Sequence, residues 1–322
     1  MKDPIIQLKG LTKLYGSQKA VDNLNLNVDQ GEIFGLLGPN GAGKTTTILM
    51  MLGLTEPTKG LAQVCGYNAT RNPMEVKRKV GYMPDSVGFY DNMSAMENLL
   101  YIGRLNGIPE DGLQARAAET LETVGLTADR DKKTAAFSRG MKQRLGLADV
   151  LIKQPEVIIL DEPTLGIDPA GVKDFLALIK QLSRQQGLTV LLSSHHLHHV
   201  QQVCDRVGIF VEGRLLAEGN MEKLSGQLFG AAGYVTSIAL EEPIAHPRAL
   251  EPVLKGWEDI EQVSVQENEI EFTCSRNITP ALVRLLVENG YNITRVNQKN
   301  YGLEDIYQKY FESGIQKAGS PK

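Results

Sequence analysis

The chain has 322 residues, of which 22% are charged and 42% are apolar, and its net charge is −4. This length allows about two domains, and the composition is that of an ordinary globular protein. The acidic balance argues against a nucleic-acid partner, because such partners require a positively charged surface. The three cysteines are far apart and odd in number, so they predict neither a disulfide framework nor a zinc site. No apolar run approaches ~20 residues, and no segment is predicted to cross a membrane.

A glycine-rich segment near residue 40 predicts a phosphate-binding loop, or P-loop. It fits G-x-x-x-x-G-K-[ST] and lies between a buried strand predicted over 31–38 and a helix predicted over 44–53. In such a loop the backbone N–H groups surround the phosphates, the Lys44 ammonium reaches the β- and γ-phosphates, and the Thr45 hydroxyl binds Mg²⁺. The alternative, a glycine-rich turn before an ordinary helix, does not explain this strand–loop–helix context. The predicted nucleotide-binding residues of this segment are Gly38, Pro39, Asn40, Gly41, Ala42, Gly43, Lys44, Thr45 and Thr46.

Strands and helices alternate around the P-loop, which is typical of an α/β domain with a mainly parallel sheet. Residues 5–9 and 22–28 are predicted as strands near the edge of a sheet. From about 92 to 151 the apolar residues recur at helical spacing, which predicts a helical subdomain. The other elements are predicted, in chain order, at 61–67, 74–79, 80–83, 157–160, 175–182, 189–192, 207–211 and 214–218.

The character of the sequence changes after the first two thirds of the chain. We expect an ATPase-type domain over 1–224, a glycine-containing linker over 225–233 and a C-terminal accessory domain over 234–322. The accessory domain shows the element order β-α-β-β-α-β, which predicts a small α+β ferredoxin-like fold. Within it, Thr279 is predicted to cap a helix that Pro280 begins.

Two adjacent carboxylates follow the buried strand predicted over 157–160. Asp161 at the strand end would hold Mg²⁺, directly or through water. Glu162 would act as a general base or orient the attacking water. The alternative is a buried strand that ends in two solvated acids. The P-loop earlier in the chain and the Pro163-Thr164 that follows favour the catalytic interpretation.

A segment between these two motifs resembles the signature motif of ATP-binding cassette (ABC) ATPases. Phe137 and Arg139 stand in place of the usual Leu and first Gly. The Ser138 hydroxyl, the flexible backbone at Gly140 and the helix N-terminus that follows would form a second anion site. A helix N-cap with a basic face is the alternative, but it does not explain the position of the motif before the two carboxylates. The segment reads Phe137-Ser138-Arg139-Gly140-Met141-Lys142-Gln143-Arg144.

The resemblance to ABC ATPases implies roles for four further residues. Tyr15 stands where the family stacks an aromatic ring on adenine, although a half-buried turn residue is the alternative. Asp168 ends a segment that resembles the D-loop, which crosses the dimer interface and approaches the nucleotide. His195 resembles the switch histidine, which contacts the γ-phosphate and positions the catalytic carboxylate. Asp85 replaces the usual Gln that contacts Mg²⁺ and water, and an aspartate adds negative charge and cannot donate a hydrogen bond.

Four of the five histidines lie close together at His195, His196, His198 and His199. Spacings of i, i+3 and i+4 could place metal ligands on one helical face. No cysteine or carboxylate within the run would complete such a site. We therefore interpret the run as one functional histidine beside a partly solvated helix start.

The resemblance covers about residues 4–225 and implies a P-loop NTPase cassette, with a RecA-like parallel sheet core, antiparallel edge strands and a helical subdomain. It implies ATP and Mg²⁺ as cofactors and a cytoplasmic location at the inner face of the cell membrane. The implied partners are integral-membrane transporter subunits and a second cassette. In this family two cassettes pair head to tail, so that Ser138 and Gly140 of one cover the ATP held by Lys44 of the other. Within the family, the chain looks most like bacterial exporter ATPases with a C-terminal extension.

Two other functions remain as alternatives. One is a soluble ABC-type regulator, or an ATPase that acts on ribosomes or DNA without a transport partner. Such proteins usually carry two cassettes or long insertions, and neither is evident in this sequence. The other is a protein that binds nucleotide without hydrolysing it, against which the intact Lys44, Asp161, Glu162 and His195 argue.

Overall fold

The computed structural model describes residues 4–229, 234–244, 250–254, 256–299 and 303–318. The chain divides into two compact units, Met1–Glu218 and Gly219–Lys322. The strands of the first unit are β1 (Ile6–Tyr15), β2 (Gln18–Val28), β3 (Ile33–Leu37), β4 (Lys59–Val64), β5 (Tyr67–Asn68), β6 (Val80–Met83), β7 (Val157–Asp161), β8 (Thr189–Ser194), β9 (Arg206–Val211) and β10 (Arg214–Gly219). Its helices are α1 (Lys44–Met51), α2 (Pro73–Lys79), α3 (Ala95–Leu105), α4 (Leu113–Thr123), α5 (Arg139–Leu151), α6 (Pro169–Gln186) and α7 (Leu197–Val203).

The first unit contains two sheets. The smaller sheet is antiparallel, with strand order β2-β1-β4-β5. The larger has the order β10-β9-β3-β8-β7-β6, and its strands from β9 to β6 run parallel. Every residue of β3, β7 and β8 is buried, as expected for central parallel strands that are covered on both faces. This is the α/β architecture that the sequence predicts.

Strand order in the larger sheet brings distant parts of the chain to one edge. Strands β3, β8, β7 and β6 are consecutive neighbours, so their carboxyl ends lie side by side. In the parallel register, Leu37 pairs with Ser194, and Asp161 pairs with Ser193. Open α/β sheets bind their ligands at this edge of the strands. The loops that follow these four strands are therefore placed to build one site.

Helices α3, α4 and α5 lie within the region predicted to be helical and pack against one another. The start of α3 is fixed by a capping box. The Ser94 hydroxyl accepts a hydrogen bond from the Glu97 N–H at 3.1 Å, and the Glu97 carboxylate accepts one from the Ser94 N–H at 2.7 Å. This pair satisfies two helix-terminal N–H groups that would otherwise lack partners.

The second unit has a four-stranded antiparallel sheet in the order β12-β13-β11-β14. Its elements run β-α-β-β-α-β from β11 to β14, as the ferredoxin-like prediction requires. Apolar residues of the sheet, α9 and α10 form a separate core, which includes Phe272 and Leu282. The elements are α8 (Met221–Phe229), β11 (Tyr234–Leu240), α9 (Glu251–Leu254), β12 (Ile260–Gln266), β13 (Glu269–Cys274), α10 (Thr279–Glu288), β14 (Ile293–Lys299) and α11 (Leu303–Ala318).

The predicted linker over 225–233 differs from the structure in its first half. Helix α8 continues to Phe229, so residues 225–229 are helical, and residues 230–233 lie outside the described part of the chain. The fully buried Leu224 gives this helix an apolar anchor. Residues 225–229 contain one glycine, Gly226, which a helix tolerates at a cost of about 1 kcal/mol relative to alanine.

The predicted cap at Thr279 is wrong. Thr279 is the first residue of α10, and Ile278 occupies the N-cap position without a capping side chain. The Thr279 N–H donates instead to the Asn277 side-chain oxygen at 3.2 Å. The Thr279 hydroxyl is engaged at 2.8 Å with the hydroxyl of Thr236 on β11, so it is unavailable to cap the helix.

Candidate functional site

A cavity of about 630 Å³ lies at the carboxyl edge of the parallel strands. Its volume is in the range of small-molecule binding sites. The cavity brings together Asn40–Thr46, Asp85, Asp161, Glu162 and His195, as the sequence predicts. Its remaining lining residues are Gln18, Lys19, Ala20, Leu165, Glu212 and Gly213.

Lys44 is buried beneath the P-loop, with 6% of its surface exposed. Its ammonium donates to the Gly38 carbonyl at 2.7 Å and to the Pro39 carbonyl at 3.2 Å. It also lies 3.6 Å from Glu162 Oε1, which is an ion pair longer than a hydrogen bond. The loop carbonyls thus hold the cation at the cavity, where phosphate oxygens are strong alternative acceptors.

The N-terminus of α1 opens onto the cavity because residue 43 is glycine. Gly43 is the N-cap of the helix and has a φ of 103°. A Cβ atom at this position would lie 2.2 Å from the Ala20 carbonyl oxygen. Only glycine meets both the backbone angle and the close approach of β2. The free N–H groups and the dipole of α1 are thereby available to an anion in the cavity.

Oxygen groups converge beside the P-loop. The Thr45 hydroxyl donates to Asp161 Oδ2 at 2.8 Å, and the Ser193 hydroxyl donates to the other oxygen of this buried carboxylate. Burial, together with the negative charges of Asp161 and Asp85, raises the pKa of Tyr82 to about 12. The hydroxyl of Thr45 and the two aspartates are the hard oxygen ligands that Mg²⁺ prefers. This donor set fits a divalent cation.

Glu162 adopts an unusual backbone conformation next to these groups. Its φ is +48°, a left-handed conformation that costs about 1–3 kcal/mol and persists only where the surroundings fix it. The Glu162 N–H donates to the Ser193 carbonyl at 3.1 Å, and His195 Nδ1 lies 2.9 Å from Glu162 Oε2. Oxygen Oε1 is buried and accepts no hydrogen bond from the described residues. The Lys44 ammonium lies 3.6 Å from this oxygen.

Six residues predicted for the site do not line the cavity of this chain. They are Tyr15, Gly38, Pro39, Ser138, Gly140 and Asp168. Ser138 and Asp168 cap α5 and α6 through their side-chain oxygens. Tyr15 ends β1 with 52% of its surface exposed. One chain therefore supplies the P-loop from Asn40 onward, Asp161, Glu162 and His195 to the cavity, whereas Ser138 and Gly140 lie outside it.

Some lining residues have no counterpart in the predicted site. Gln18 pairs with Tyr15 across the turn between β1 and β2. Because Tyr15 is predicted to lie at the nucleotide, this pairing is a signal that could have identified Gln18 as a neighbour of the site. Glu212 and Gly213 form the turn between β9 and β10. The Gly213 N–H donates to the Ala42 carbonyl at 2.9 Å, a long-range contact that has no local sequence signal.

The histidine run forms a chain of ring contacts instead of a metal site. The ring centroids of His195 and His196 are 4.0 Å apart, and those of His196 and His199 are 5.3 Å apart. His199 Nδ1 lies 3.3 Å from the Thr164 hydroxyl. Within the described ranges, no three His, Cys, Asp or Glu side chains converge on a possible metal.

The surroundings of His199 make the first unit sensitive to acid. Burial, followed by the charges of His196 and His198, lowers the pKa of His199 below its ordinary 6.5. As the pH falls below 6.5, the unfolded chain binds a proton that the folded chain resists, so stability declines. We expect the melting temperature to fall more steeply between pH 7.5 and 5.5 in the native protein than in His199→Asn. If the melting temperatures of the native protein and of His199→Asn fell equally with pH, the acid sensitivity could not be assigned to His199.

The fold and the cavity define a P-loop nucleotide-binding protein, and sequence comparisons refine this class. The family described as ABC transporter matches residues 21–165. The chain is 40% identical over 311 residues to the bacitracin transport ATP-binding protein BcrA of Bacillus licheniformis, covering 96% of this chain and 98% of that protein. It is 39% identical over 226 residues to the linearmycin resistance ATP-binding protein LnrL of Bacillus subtilis (strain 168), covering 70% of this chain and 72% of that protein.

Solved structures show the same fold. The post-hydrolysis dimer of the ATP-binding cassette MJ0796, bound to ADP and Pi, aligns with a TM-score of 0.61 at 25% identity, covering 67% of this chain and 98% of that chain. The cbiO1 subunit from Clostridium perfringens, part of the transporter complex cbiONQ, aligns with a TM-score of 0.64 at 28% identity, covering 70% of this chain and 96% of that chain.

The chain belongs to the ATP-binding proteins of ABC transporters. It is an ATP-binding, ATP-hydrolysing cassette and a subunit of a membrane transporter. No helix in the part of the chain that the structure describes is both long and apolar enough to cross a bilayer.

Proposed function

We propose that this protein powers an ABC exporter and that two cassettes complete each ATP site by pairing head to tail. One observation carries the pairing: the cavity holds Lys44, Glu162 and His195 but not Ser138 or Gly140. Ser138 caps α5, whose N-terminus suits an anion, and it does not line the cavity of its own chain. A second copy would bring this helix end over the ATP held by Lys44.

Mg²⁺ fits the oxygen groups already assembled at the cavity. Thr45, Asp161 and Asp85 would hold it. This chain has Asp at position 85 where the family usually carries Gln, which adds negative charge to the donor set. When bound, the ion offsets negative charge on the β- and γ-phosphates. Asp85 also adds a second aspartate to the cavity that Asp161 lines.

Hydrolysis would follow from the positions of Glu162, His195 and Lys44. The free Oε1 of Glu162 would accept a proton from water while the water oxygen bonds to the γ-phosphorus of ATP. The bond from the γ-phosphorus to the bridging oxygen breaks, which releases ADP and phosphate. Lys44 would exchange its loop carbonyls for phosphate oxygens and stabilise the transferred charge. His195, whose Nδ1 lies 2.9 Å from Glu162 Oε2, would hold that carboxylate in place and contact the γ-phosphate.

Transport out of the cell is supported by the names of the relatives. BcrA is a bacitracin transport protein and LnrL is a linearmycin resistance protein. The BcrA match spans 96% of this chain and therefore includes the second unit. We infer that the transported compound resembles bacitracin or linearmycin, and that this chain acts on membrane subunits at the inner face of the cell membrane.

The export proposal is tested by deleting the gene for this chain and measuring tolerance to bacitracin. We expect the deletion strain to become more sensitive, and the native chain, but not Glu162→Gln, to restore tolerance. The tagged native chain should also co-purify from detergent-solubilised membranes with a membrane-spanning subunit. A chain that never associates with membranes would support the alternative of a regulator without a transport partner.

A further inference from the structure

An unusual contact joins the signature segment to the loop that follows Glu162. Arg139 is the first residue of α5 and is exposed. A Cβ atom on Gly166 would lie 2.6 Å from Arg139 Cζ and Nε and 2.7 Å from Nη1. The guanidinium group therefore lies directly against the Gly166 backbone. Gly166 has a φ of +73°, a backbone conformation that favours glycine, and the group that approaches it is the end of a flexible, exposed side chain.

Charge pairing does not explain where the Arg139 side chain lies. In the described part of the chain, its guanidinium forms no ion pair with a carboxylate and no hydrogen bond. A cation in the first turn of a helix is also unfavourable, because the helix dipole places positive charge there. Arg139 thus places a positive charge where the helix dipole disfavours it, with no ion pair among the described residues in compensation. Such unfavourable positions are expected at functional sites.

The loop under Arg139 is short and leads directly to the catalytic carboxylate. The Leu165 N–H donates to the Glu162 carbonyl at 3.1 Å, and the Ile167 N–H donates to the Thr164 carbonyl at 3.3 Å. These two successive turns connect Gly166 to Glu162, whose own backbone is strained. Leu165, between them, lines the cavity. A shift at Gly166 would therefore change the orientation of Glu162.

A second contact ties the same two segments together. A Cβ atom on Gly140 would lie 3.7 Å from Ile167 Cγ2, which is ordinary van der Waals distance. Arg139 and Gly140 thus pack on consecutive residues of the loop. Of the two contacts, the one between Arg139 and Gly166 is the closer.

We propose that Arg139 is a positioning residue for ATP hydrolysis, which holds the loop from Glu162 to Asp168 in place by packing on Gly166. This inference rests on the proposed role of Glu162 as the base. It also links the two halves of the active site within one chain. The segment that would cover the partner's nucleotide is packed against the loop that orients the chain's own base.

The test is a double-mutant cycle in the full-length protein, with ATPase kinetics as the measurement. We expect Arg139→Ala to lower kcat about 5-fold with little change in KM for ATP, because a small misplacement of a catalytic group has effects of this order or larger. Gly166→Ala should lower kcat in the native background, and by a smaller factor when Arg139 is already Ala. Arg130→Gln, which removes an exposed arginine paired with Asp131 at 3.2 Å, is the control and should match the native protein.

Three results would overturn the proposal. The first is an unchanged kcat in Arg139→Ala. The second is a double variant whose fold-loss in kcat equals the product of the fold-losses in the two single variants, which would mean that the two residues act independently. The third is a raised KM with unchanged kcat, which would place Arg139 on the nucleotide. A native-like melting temperature for Arg139→Ala ensures that lost folding does not cause the effect. Because Glu162→Gln reports on the base alone, a failure of the base assignment is distinguishable from a failure of this proposal.

Discussion

Replacing Glu162 with Gln is expected to lower kcat for ATP hydrolysis by ~10²–10⁴-fold, because an amide cannot take the proton of the attacking water. The side chain keeps its size, and Lys44 still holds the phosphates. ATP binding should therefore be retained, and the ATP-bound state should persist. Steady-state ATPase kinetics and equilibrium binding of a fluorescent ATP analogue measure the two effects separately.

The matched control for this experiment is Glu156→Gln. Glu156 immediately precedes β7 and pairs with Lys79, whereas Glu162 follows the carboxyl end of the same strand. The control removes one carboxylate from the opposite edge of the sheet and should leave kcat unchanged. Equal losses in both variants would mean that general destabilisation, and not loss of the base, explains the result. Native turnover in Glu162→Gln would assign the base to another group.

Replacing Lys44 with Met is expected to reduce kcat/KM by about 10²-fold or more, because a donor aimed at the transferred charge is lost from a water-poor site. The substitution also leaves the carboxylate of Glu162 without its cationic neighbour at 3.6 Å. In contrast to the Glu162 variant, this one should lose ATP affinity as well as turnover. Isothermal titration with ATP and the ATPase assay test both parts.

Lys79→Met serves as the control for the lysine variant. Lys79 ends α2, immediately before β6, and its ion pair with Glu156 raises its pKa. The change therefore removes one paired ammonium group from the opposite edge of the sheet from the cavity. We expect native ATP affinity in this control. ATP affinity that survives in Lys44→Met would show that the P-loop lysine does not contact the phosphates here.

Local motifs predicted the core of the site, because the P-loop and the strand-end carboxylates each lie in a short segment whose backbone conformation depends on adjacent residues. A strand, a glycine-rich turn and a helix start can be read from adjacent residues, as for Lys44 and Thr45. The convergence of Asp161 and His195 on the same cavity follows from parallel strand order. The family resemblance and the alternation of strands and helices predict a mainly parallel sheet, whereas the order of its strands comes from the structure.

Contacts between distant residues could not be predicted in the same way. The cap predicted at Thr279 failed because Thr236, on another strand, engages the hydroxyl. The predicted linker differs from the structure over 225–229, because these residues continue the helix that contains the buried Leu224. The approach of Arg139 to Gly166 depends on how α5 packs beside the loop after β7, and no sequence pattern encodes that distance.

The central claim is that each ATP site is completed by a second cassette, and mixing two inactive variants tests it most directly. Lys44→Met lacks the P-loop cation, and Gly140→Asp places a carboxylate in the first turn of α5. An aspartate there suits the helix dipole and has room beside Ile167, so this variant should fold. Each variant alone should be inactive.

In a mixed dimer, Lys44 of the Gly140→Asp chain meets the intact signature segment of the Lys44→Met chain, which restores one site of two. With random pairing, an equimolar mixture should recover about a quarter of the native ATPase activity, since half of the dimers are mixed. The result that would contradict the account is a mixture as inactive as its components, although differently tagged chains are shown to form mixed dimers.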